Sequence, residues 1–310
     1  MGKTAFVFPG QGAQEVGMGR DVCEAFESSR RVIDLADELL GFRLSEIIFE
    51  GPEDQLRLTA NTQPALLTVS VALLEALRER SAVRPDFVAG HSLGEYSALV
   101  AAGVLAFEDA VRLVRRRGEL MEEAVPAGRG TMAAVLGAER EALEALCRDV
   151  SATVGLVELA NVNCPGQIVV SGTSEGVGEV VRRGGEAGAR RVVPLEVSGP
   201  FHCSLMKPAA EKLAAELAAV RFRDADVPVV ANVDARPETR GDRWPALLAE
   251  QVVSPVLWED CVRRLLAEGV DTFVEIGPGT VLAGLIRKID RSVRVVSVNN
   301  AEAVRSFDPA

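Results

Sequence analysis

The chain has 310 residues, 48% hydrophobic and 25% charged, with a net charge of −11. This suits one large soluble domain, or a domain with an insertion, and argues against a general nucleic-acid binder. No apolar run is long enough to span a bilayer, and the N-terminal residues Met1 to Pro9 lack a secretory pattern, so no membrane segment is expected.

In chain order, 3–8 reads as a strand and 21–40 as a helix. The segment 63–80 is a helix with a broad apolar face of Leu66, Leu67, Val69, Leu73, Leu74 and Leu77. A strand at 87–90 and helices at 93–102 and 107–124 follow. Such alternation predicts an α/β fold, a mostly parallel sheet covered by helices. The middle changes pattern: strand 131–136, helix 139–149, strand 157–162, a Pro165-Gly166 turn, strand 167–171, helix 174–184 and strand 190–197. That βαββαβ order is the split βαβ, or ferredoxin-like, arrangement. Pro126-Ala127-Gly128-Arg129-Gly130 and Ser198-Gly199-Pro200 bracket it as boundaries. The expected organisation is a discontinuous body, 1–129 and 198–310, with a ferredoxin-like subdomain inserted at 130–197. The body resumes with helix 204–220, strand 227–233, helix 254–268, strand 272–276, helix 280–289 and strand 293–298. Gly277-Pro278-Gly279 reads as a tight turn into a helix whose first N–H groups are free.

The five cysteines at 23, 147, 164, 203 and 261 are scattered and form no C-x-x-C pair. Reduced thiols in a cytoplasmic protein are expected, with no metal site and no cofactor. No leucine-rich exposed stripe demands a partner subunit, so a monomer is expected.

Chemistry concentrates at Gly90-His91-Ser92-Leu93-Gly94. The G-x-S-x-G spacing turns a strand sharply into a helix and lifts a serine hydroxyl clear of the backbone. The following helix places positive dipole and free N–H groups behind it, so the Leu93 N–H suits an oxyanion hole. The spacing recurs at Gly172-Thr173-Ser174-Glu175-Gly176, where a helix cap at Thr173 or Ser174 is the simpler reading. A serine needs a base, and the chain has two histidines. His91 adjoins Ser92, and adjacent side chains diverge at a sharp turn, so it is expected to pack or hydrogen-bond beside the elbow. His202 follows Gly199-Pro200 on a loop and is the expected base. No acidic residue is marked to orient the imidazole, so a backbone carbonyl can serve, giving a Ser-His dyad. Gly10-Gln11-Gly12 after the first strand is either a plain glycine turn or the source of a second oxyanion N–H. Arg115-Arg116-Arg117 fan out around a helix, so one or two face inward at most.

At these residues the chain resembles the malonyl-CoA:acyl carrier protein transacylases. The likeness extends from Phe8-Pro9-Gly10-Gln11-Gly12-Ala13-Gln14 through Asn61-Thr62-Gln63-Pro64-Ala65, the Ser92 stretch, Arg117-Gly118 and Met121. It continues in Asn163-Cys164-Pro165-Gly166-Gln167, Gly199-Pro200-Phe201-His202-Cys203, Gln251 and Glu275-Ile276-Gly277-Pro278-Gly279. The resemblance implies an α/β-hydrolase-like body with a ferredoxin-like insert. It implies a ping-pong transfer of malonyl from malonyl-CoA to the phosphopantetheine thiol of an acyl carrier protein, for fatty-acid or polyketide synthesis. Ser92 would carry the ester and His202 would act as base and acid. The backbone N–H groups of Gln11 and Leu93 would form the oxyanion hole. Arg117 would hold the malonyl carboxylate, and Gln251 would orient His202 through its carbonyl. Phe201 before the histidine resembles the malonyl-selective pattern, though one methyl is worth only about 1–3 kcal/mol.

Such carriers are acidic, so a net-negative enzyme needs a local basic patch. Arg129, Arg182, Arg183, Arg190, Arg191, Lys207, Arg287 and Lys288 are the candidates. A serine esterase or thioesterase could use the same Ser92 and His202 but has no need of Arg117. A carrier-binding scaffold would form no acyl-serine at all.

Overall fold

The first apolar run becomes the middle of a sheet because both of its faces are covered. The computed structural model describes residues 2–308. In chain order its strands are β1 (Lys3–Phe8), β2 (Phe87–Gly90), β3 (Gly130–Leu136), β4 (Val157–Cys164), β5 (Gln167–Thr173), β6 (Arg191–Pro194), β7 (Val229–Val230), β8 (Pro237–Glu238), β9 (Val270–Ile276) and β10 (Arg294–Val298). Among the described residues they form two sheets. The larger runs β10-β9-β1-β2-β7-β8, and every pairing is parallel except β7 with β8. In β1, residues Ala5 to Phe8 are at most 3% exposed. Such a strand reads as a continuous apolar run rather than an alternating one. Phe8 sits opposite Gly90 in the β1–β2 register. The turns leaving these strands, which carry Gln11 and Ser92, therefore emerge side by side at the carboxyl edge of the sheet, where open α/β sheets form their ligand crevices.

The smaller sheet runs β4-β5-β3-β6 and is antiparallel throughout. Helices Arg140–Thr153 and Ser174–Arg183 cover one face, and Val135, Leu143, Val150, Val170 and Val177 belong to a core of its own. It is stitched to the larger unit through β4: Val162 N–H donates to Val256 C=O (2.9 Å) and Val256 N–H to Ala160 C=O (2.8 Å).

Several expected elements shift. The helix expected at 21–40 is two, Arg20–Ala25 and Glu27–Leu40, because Phe26 is extended (φ −130°, ψ 124°) with its ring buried. A single extended residue leaves no mark on apolar periodicity. The strand expected at 227–233 shortens to Val229–Val230, since the chain doubles back within a few residues to pair β8. The helix expected at 204–220 opens with a 3₁₀ turn, Ser204–Met206, and continues as Lys207–Ala218. Helices Leu44–Glu50, Glu53–Arg57, Trp244–Val253 and Ala301–Arg305 were not expected. The third of these has a readable signal: Pro245 in its first turn and buried Trp244, Leu247, Leu248 and Val252 at helical spacing.

Among the described residues no helix is long and apolar enough to cross a membrane, and no group of three or more His, Cys, Asp or Glu side chains could hold a metal ion.

Helix Thr59–Arg80 lies buried through most of its length and crosses helix Phe107–Glu123 at Gly118. A Cβ on Gly118 would stand 2.7 Å from both Ala60 Cα and Thr59 O. Those contacts are backbone and cannot rotate away. Gly118→Ala gains about 1 kcal/mol of helix propensity, but overpacking costs about 1–3 kcal/mol. The variant should melt below the wild type in a thermal scan; an unchanged or raised Tm would refute this account of the crossing.

Candidate active site

The turn at Ser92 is held by sterics and by one asparagine. Ser92 has a left-handed backbone (φ 53°), which costs a non-glycine residue about 1–3 kcal/mol. A Cβ on Gly90 would lie 1.9 Å from the carbonyl carbon of Gly94, and one on Gly94 would lie 2.1 Å from Phe8 O. The G-x-S-x-G spacing is thus a requirement of close approach between β1, β2 and helix Gly94–Ala101. Asn232, just beyond β7, closes the turn. Its Oδ1 accepts from Ser92 N–H (2.8 Å) and its Nδ2 donates to Gly90 C=O (2.7 Å).

His202 is the second left-handed residue here (φ 58°). Its Nε2 lies 2.7 Å from Ser92 Oγ and its Nδ1 lies 2.8 Å from Gln251 C=O. A carbonyl only accepts, so Nδ1 carries the hydrogen and Nε2 turns its lone pair to the serine. Burial, followed by the nearby Arg117 charge, pushes the imidazole pKa down to about 3. The ring is therefore neutral at ordinary pH and able to take a proton. His91 is bound elsewhere: its Nε2 meets Asn163 Oδ1 at 2.7 Å and its ring tilts against Trp258.

Of the three consecutive arginines, one turns inward. Arg116 pairs with Glu119 and Glu216, and Arg115 with Glu119, the Ala60 carbonyl and Asn61 Oδ1. Arg117 is 1% exposed. Its Nη1 donates to Gln63 Oε1 (2.7 Å), and its Nη2 to Gln251 Oε1 (2.8 Å) and to Ser92 Oγ (3.2 Å). Its Nε has no partner, and the guanidinium carbon stands 5.5 Å from the Tyr96 ring centroid. Burial lowers its pKa, and Tyr96 and Glu95 oppose that.

Gln251 thus does three things at once. Its carbonyl meets His202, its side chain joins Arg117 to Glu95, whose Oε2 accepts from Gln251 Nε2 at 2.7 Å, and the same Nε2 donates to Ser92 C=O at 3.0 Å. Among the described residues, neither Gln11 N–H nor Leu93 N–H has an acceptor. Gln11 also lines, with Ser92, His202, Arg117, Phe201 and Met132, a cavity of about 120 Å³. A second cavity of about 200 Å³ shares Gln11, His91, Asn161 and Leu195 with it and is also lined by Gln167 and Leu285. The serine thus faces a small, mostly apolar cavity with a second one beside it.

Ser174 takes no part. Thr173 caps its helix, accepting from Gly176 N–H at 3.1 Å, while Ser174 Oγ donates to Gly128 C=O at 2.7 Å. The helix start after Gly277-Pro278-Gly279 is already used: both Glu275 carboxylate oxygens accept from Leu282 and Ala283 N–H groups, at 3.0 and 2.8 Å.

Sequence reasoning missed Asn232, Glu95 and a role for Gln63. Glu95 left a signal, since it is the one charged residue in helix Gly94–Ala101. Asn232 left almost none, because it reaches the elbow from 140 residues away.

A family model described as an acyl transferase domain matches residues 5–306. The malonyl CoA-acyl carrier protein transacylase of Bacillus subtilis is 54% identical over 304 residues, spanning 98% of this chain and 96% of its own. One from Staphylococcus aureus is 48% identical over 308 residues, 99% of each chain. The crystal structure of an acyl carrier protein S-malonyltransferase from Vibrio cholerae matches with a TM-score of 0.96 at 43% identity, over 99% of this chain and 100% of that one. A malonyl-transacylase in complex with its type II PKS acyl-carrier protein matches with a TM-score of 0.95 at 42% identity, over 97% of each.

Asn232→Ala leaves Ser92 N–H and Gly90 C=O without their partner in a buried place. It should cost about 2–4 kcal/mol in urea denaturation and slow labelling of Ser92 by an organophosphate probe. Wild-type stability and labelling would show that the turn holds itself.

Proposed function

The chain belongs to the acyl transferase family, and we propose that Ser92 is the nucleophile through which it works, with His202 as base and acid. The enzyme transfers the malonyl group of malonyl-CoA to an acyl carrier protein. The observation that carries the site reading is the Arg117 guanidinium standing 3.2 Å from the serine oxygen, with one donor still unpartnered. An acyl group on Ser92 that ends in a carboxylate would meet it, and a planar guanidinium binds a carboxylate through two parallel bonds. An esterase acting on neutral acyl groups has no use for such a charge.

In the first half-reaction Ser92 Oγ attacks the thioester carbonyl carbon while its proton passes to His202 Nε2. The carbonyl oxygen gains the negative charge, and the N–H groups of Gln11 and Leu93 stabilise it. The C–S bond then breaks, and His202 returns the proton to the CoA sulfur. In the second half-reaction the carrier's pantetheine thiol gives its proton to His202 and attacks the ester. The C–Oγ bond breaks and Ser92 regains its proton. The Gln251 carbonyl keeps the imidazole in the required tautomer throughout. Arg117 weakens His202 as a base until a malonyl carboxylate offsets the guanidinium charge, so the correct acyl group strengthens its own base. Apolar walls of Met121, Met132, Leu195, Val197 and Phe201 keep water from the ester. Phe201 beside the acyl pocket suits malonyl over a branched unit.

The same reading extends to architecture and partners. The parallel sheet with its serine elbow is an α/β-hydrolase-like body, 1–129 and 198–310. Residues 130–197, with strand order β4-β5-β3-β6, are its ferredoxin-like insert. The enzyme is read as a cytoplasmic monomer, and five free, buried cysteines support the reducing compartment. Among the candidate basic residues, Arg182 and Arg183 are already paired with Glu179, Glu186 and Asp149. Arg190 and Arg191 are exposed and have no carboxylate partner among the described residues. Arg190 packs against Gly137, beside the Pro165–Gln167 turn, and Lys288 Nζ donates to Gln167 Oε1 (3.2 Å) at the second cavity. Arg190, Arg191 and Lys288 therefore form the carrier's docking patch.

Mixing with malonyl-CoA should give a malonyl adduct by intact mass that Ser92→Ala abolishes; an adduct surviving in Ser92→Ala would overturn the nucleophile. Arg117→Ala should lower malonyl acylation about 100-fold while acetyl acylation falls much less. Equal losses would remove the clamp. Charge reversal at Arg190 and Arg191 should raise the KM for the carrier about tenfold at unchanged malonyl-CoA acylation; unchanged carrier kinetics would strike both residues from the patch.

A further inference from the structure

The buried charge of Arg117 has no direct counter-charge. Among the described residues no carboxylate forms an ion pair with it, and the acceptors on its Nη atoms are the neutral Gln63 Oε1, Gln251 Oε1 and Ser92 Oγ. A buried unpaired charge is expensive, and proteins seldom leave one without compensation. One carboxylate is near. Glu95 is also 1% exposed, and it touches no cation. Its Oε1 accepts from Asn232 N–H and its Oε2 from Gln251 Nε2, both at 2.7 Å.

The Gln251 amide lies between the two charges. Its oxygen faces the guanidinium and its NH₂ faces the carboxylate, so its dipole is favourable at both ends. Turning the amide over would set NH₂ against NH₂ and oxygen against carboxylate. We propose that Glu95 is a counter-charge held one amide away from Arg117, and that this spacing sets how strongly the site prefers an acyl group bearing a carboxylate. This rests on the reading of Arg117 as the carboxylate clamp. A carboxylate directly on Arg117 would fill the clamp, and the substrate would have to displace it. An absent carboxylate would leave the guanidinium uncompensated and its hold on an acidic acyl group strongest. Glu95 acts through Gln251 and is a positioning residue.

The charge of Glu95 can change within a measurable range. Burial pushes its carboxyl up to about 8, against the pull of the Asn232 N–H, the Gln251 amide and Arg117. The groups facing it are Arg117 from helix Phe107–Glu123, Gln251 from Trp244–Val253, the Cys261 thiol from Trp258–Ala267, Asp234 beyond β7, and neighbouring Tyr96. Asp234 raises its pKa further, and burial raises those of Cys261 and Tyr96 well above their ordinary values, which keeps both neutral here. Below its own pKa Glu95 is neutral and Arg117 stands uncompensated, so malonyl is held more firmly. Above it the carboxylate offsets the guanidinium, and the preference weakens.

The test is the ratio of malonyl to acetyl acylation rates of Ser92, read by intact mass in single turnovers from about pH 6.5 to about pH 9.5. The ratio does not depend on the fraction of enzyme that is folded. In the wild type it should fall about tenfold through about pH 8. In Glu95→Gln it should stay flat and high. Combining Glu95→Gln with Gln251→Glu keeps the charge count but moves the carboxylate onto Arg117, and the ratio should drop at least about tenfold at every pH. A flat wild-type ratio, a pH dependence that persists in Glu95→Gln, or a wild-type ratio in the transposed pair would each overturn the proposal. Arg117→Ala separates the two readings. If it leaves the ratio untouched, the clamp itself is wrong. If it collapses the ratio while the wild-type profile is flat, the clamp stands and only the part given to Glu95 falls.

Discussion

The left-handed backbone at Ser92 is the constraint around which the rest is arranged. A serine does not hold φ 53° unaided. Two glycines let β1, β2 and the following helix come within backbone contact, and Asn232 binds the turn from a distant strand end. Both devices require the parallel order β1-β2-β7. The sheet's topology is thus part of the chemistry, since it is what brings Asn232 and the Gln11 turn to the serine. His202 occupies a second strained backbone position, and its ring is held by its bond to Gln251. Strain at both members of the pair fixes their 2.7 Å contact before any substrate arrives.

A second theme is charge kept in reserve. Arg117 is buried, is not directly paired, and stands beside the Ser92 hydroxyl oxygen. Its presence lowers the basicity of His202 and would be costly alone. The surrounding amides of Gln63 and Gln251 soften that cost without neutralising the group. The same side chains that tolerate the charge also aim it at the Ser92 oxygen, so the cost of burial and the orientation of the guanidinium are set by one group of bonds.

Much of this was legible in the residues. The Ser92 turn announced itself by glycine spacing, and β1 and β2 kept their expected bounds, because the signals for both are local. With two histidines in the chain, the partner of Ser92 was nearly determined by elimination. The βαββαβ order of the smaller sheet followed from alternating apolar runs between Pro and Gly boundaries. Asn232 was not legible, since its importance lies in which distant backbone atoms it meets, and Glu95 was marked only as the lone charge of its short helix. Gln251 was half legible: its carbonyl was expected against His202, but the reach of its side chain to Arg117 and Glu95 is a property of helix Trp244–Val253, which was itself unexpected. The break at Phe26 escaped because one extended residue does not disturb a helical stripe.

The main chain and the side chain of Gln251 serve different parts of the site. The bond that sets the His202 tautomer runs through the main-chain carbonyl, which another side chain at this position would still present. The side chain ties Arg117, Glu95 and the Ser92 carbonyl together. A substitution there would therefore loosen the serine turn and the surroundings of the buried guanidinium together, while the imidazole kept its tautomer.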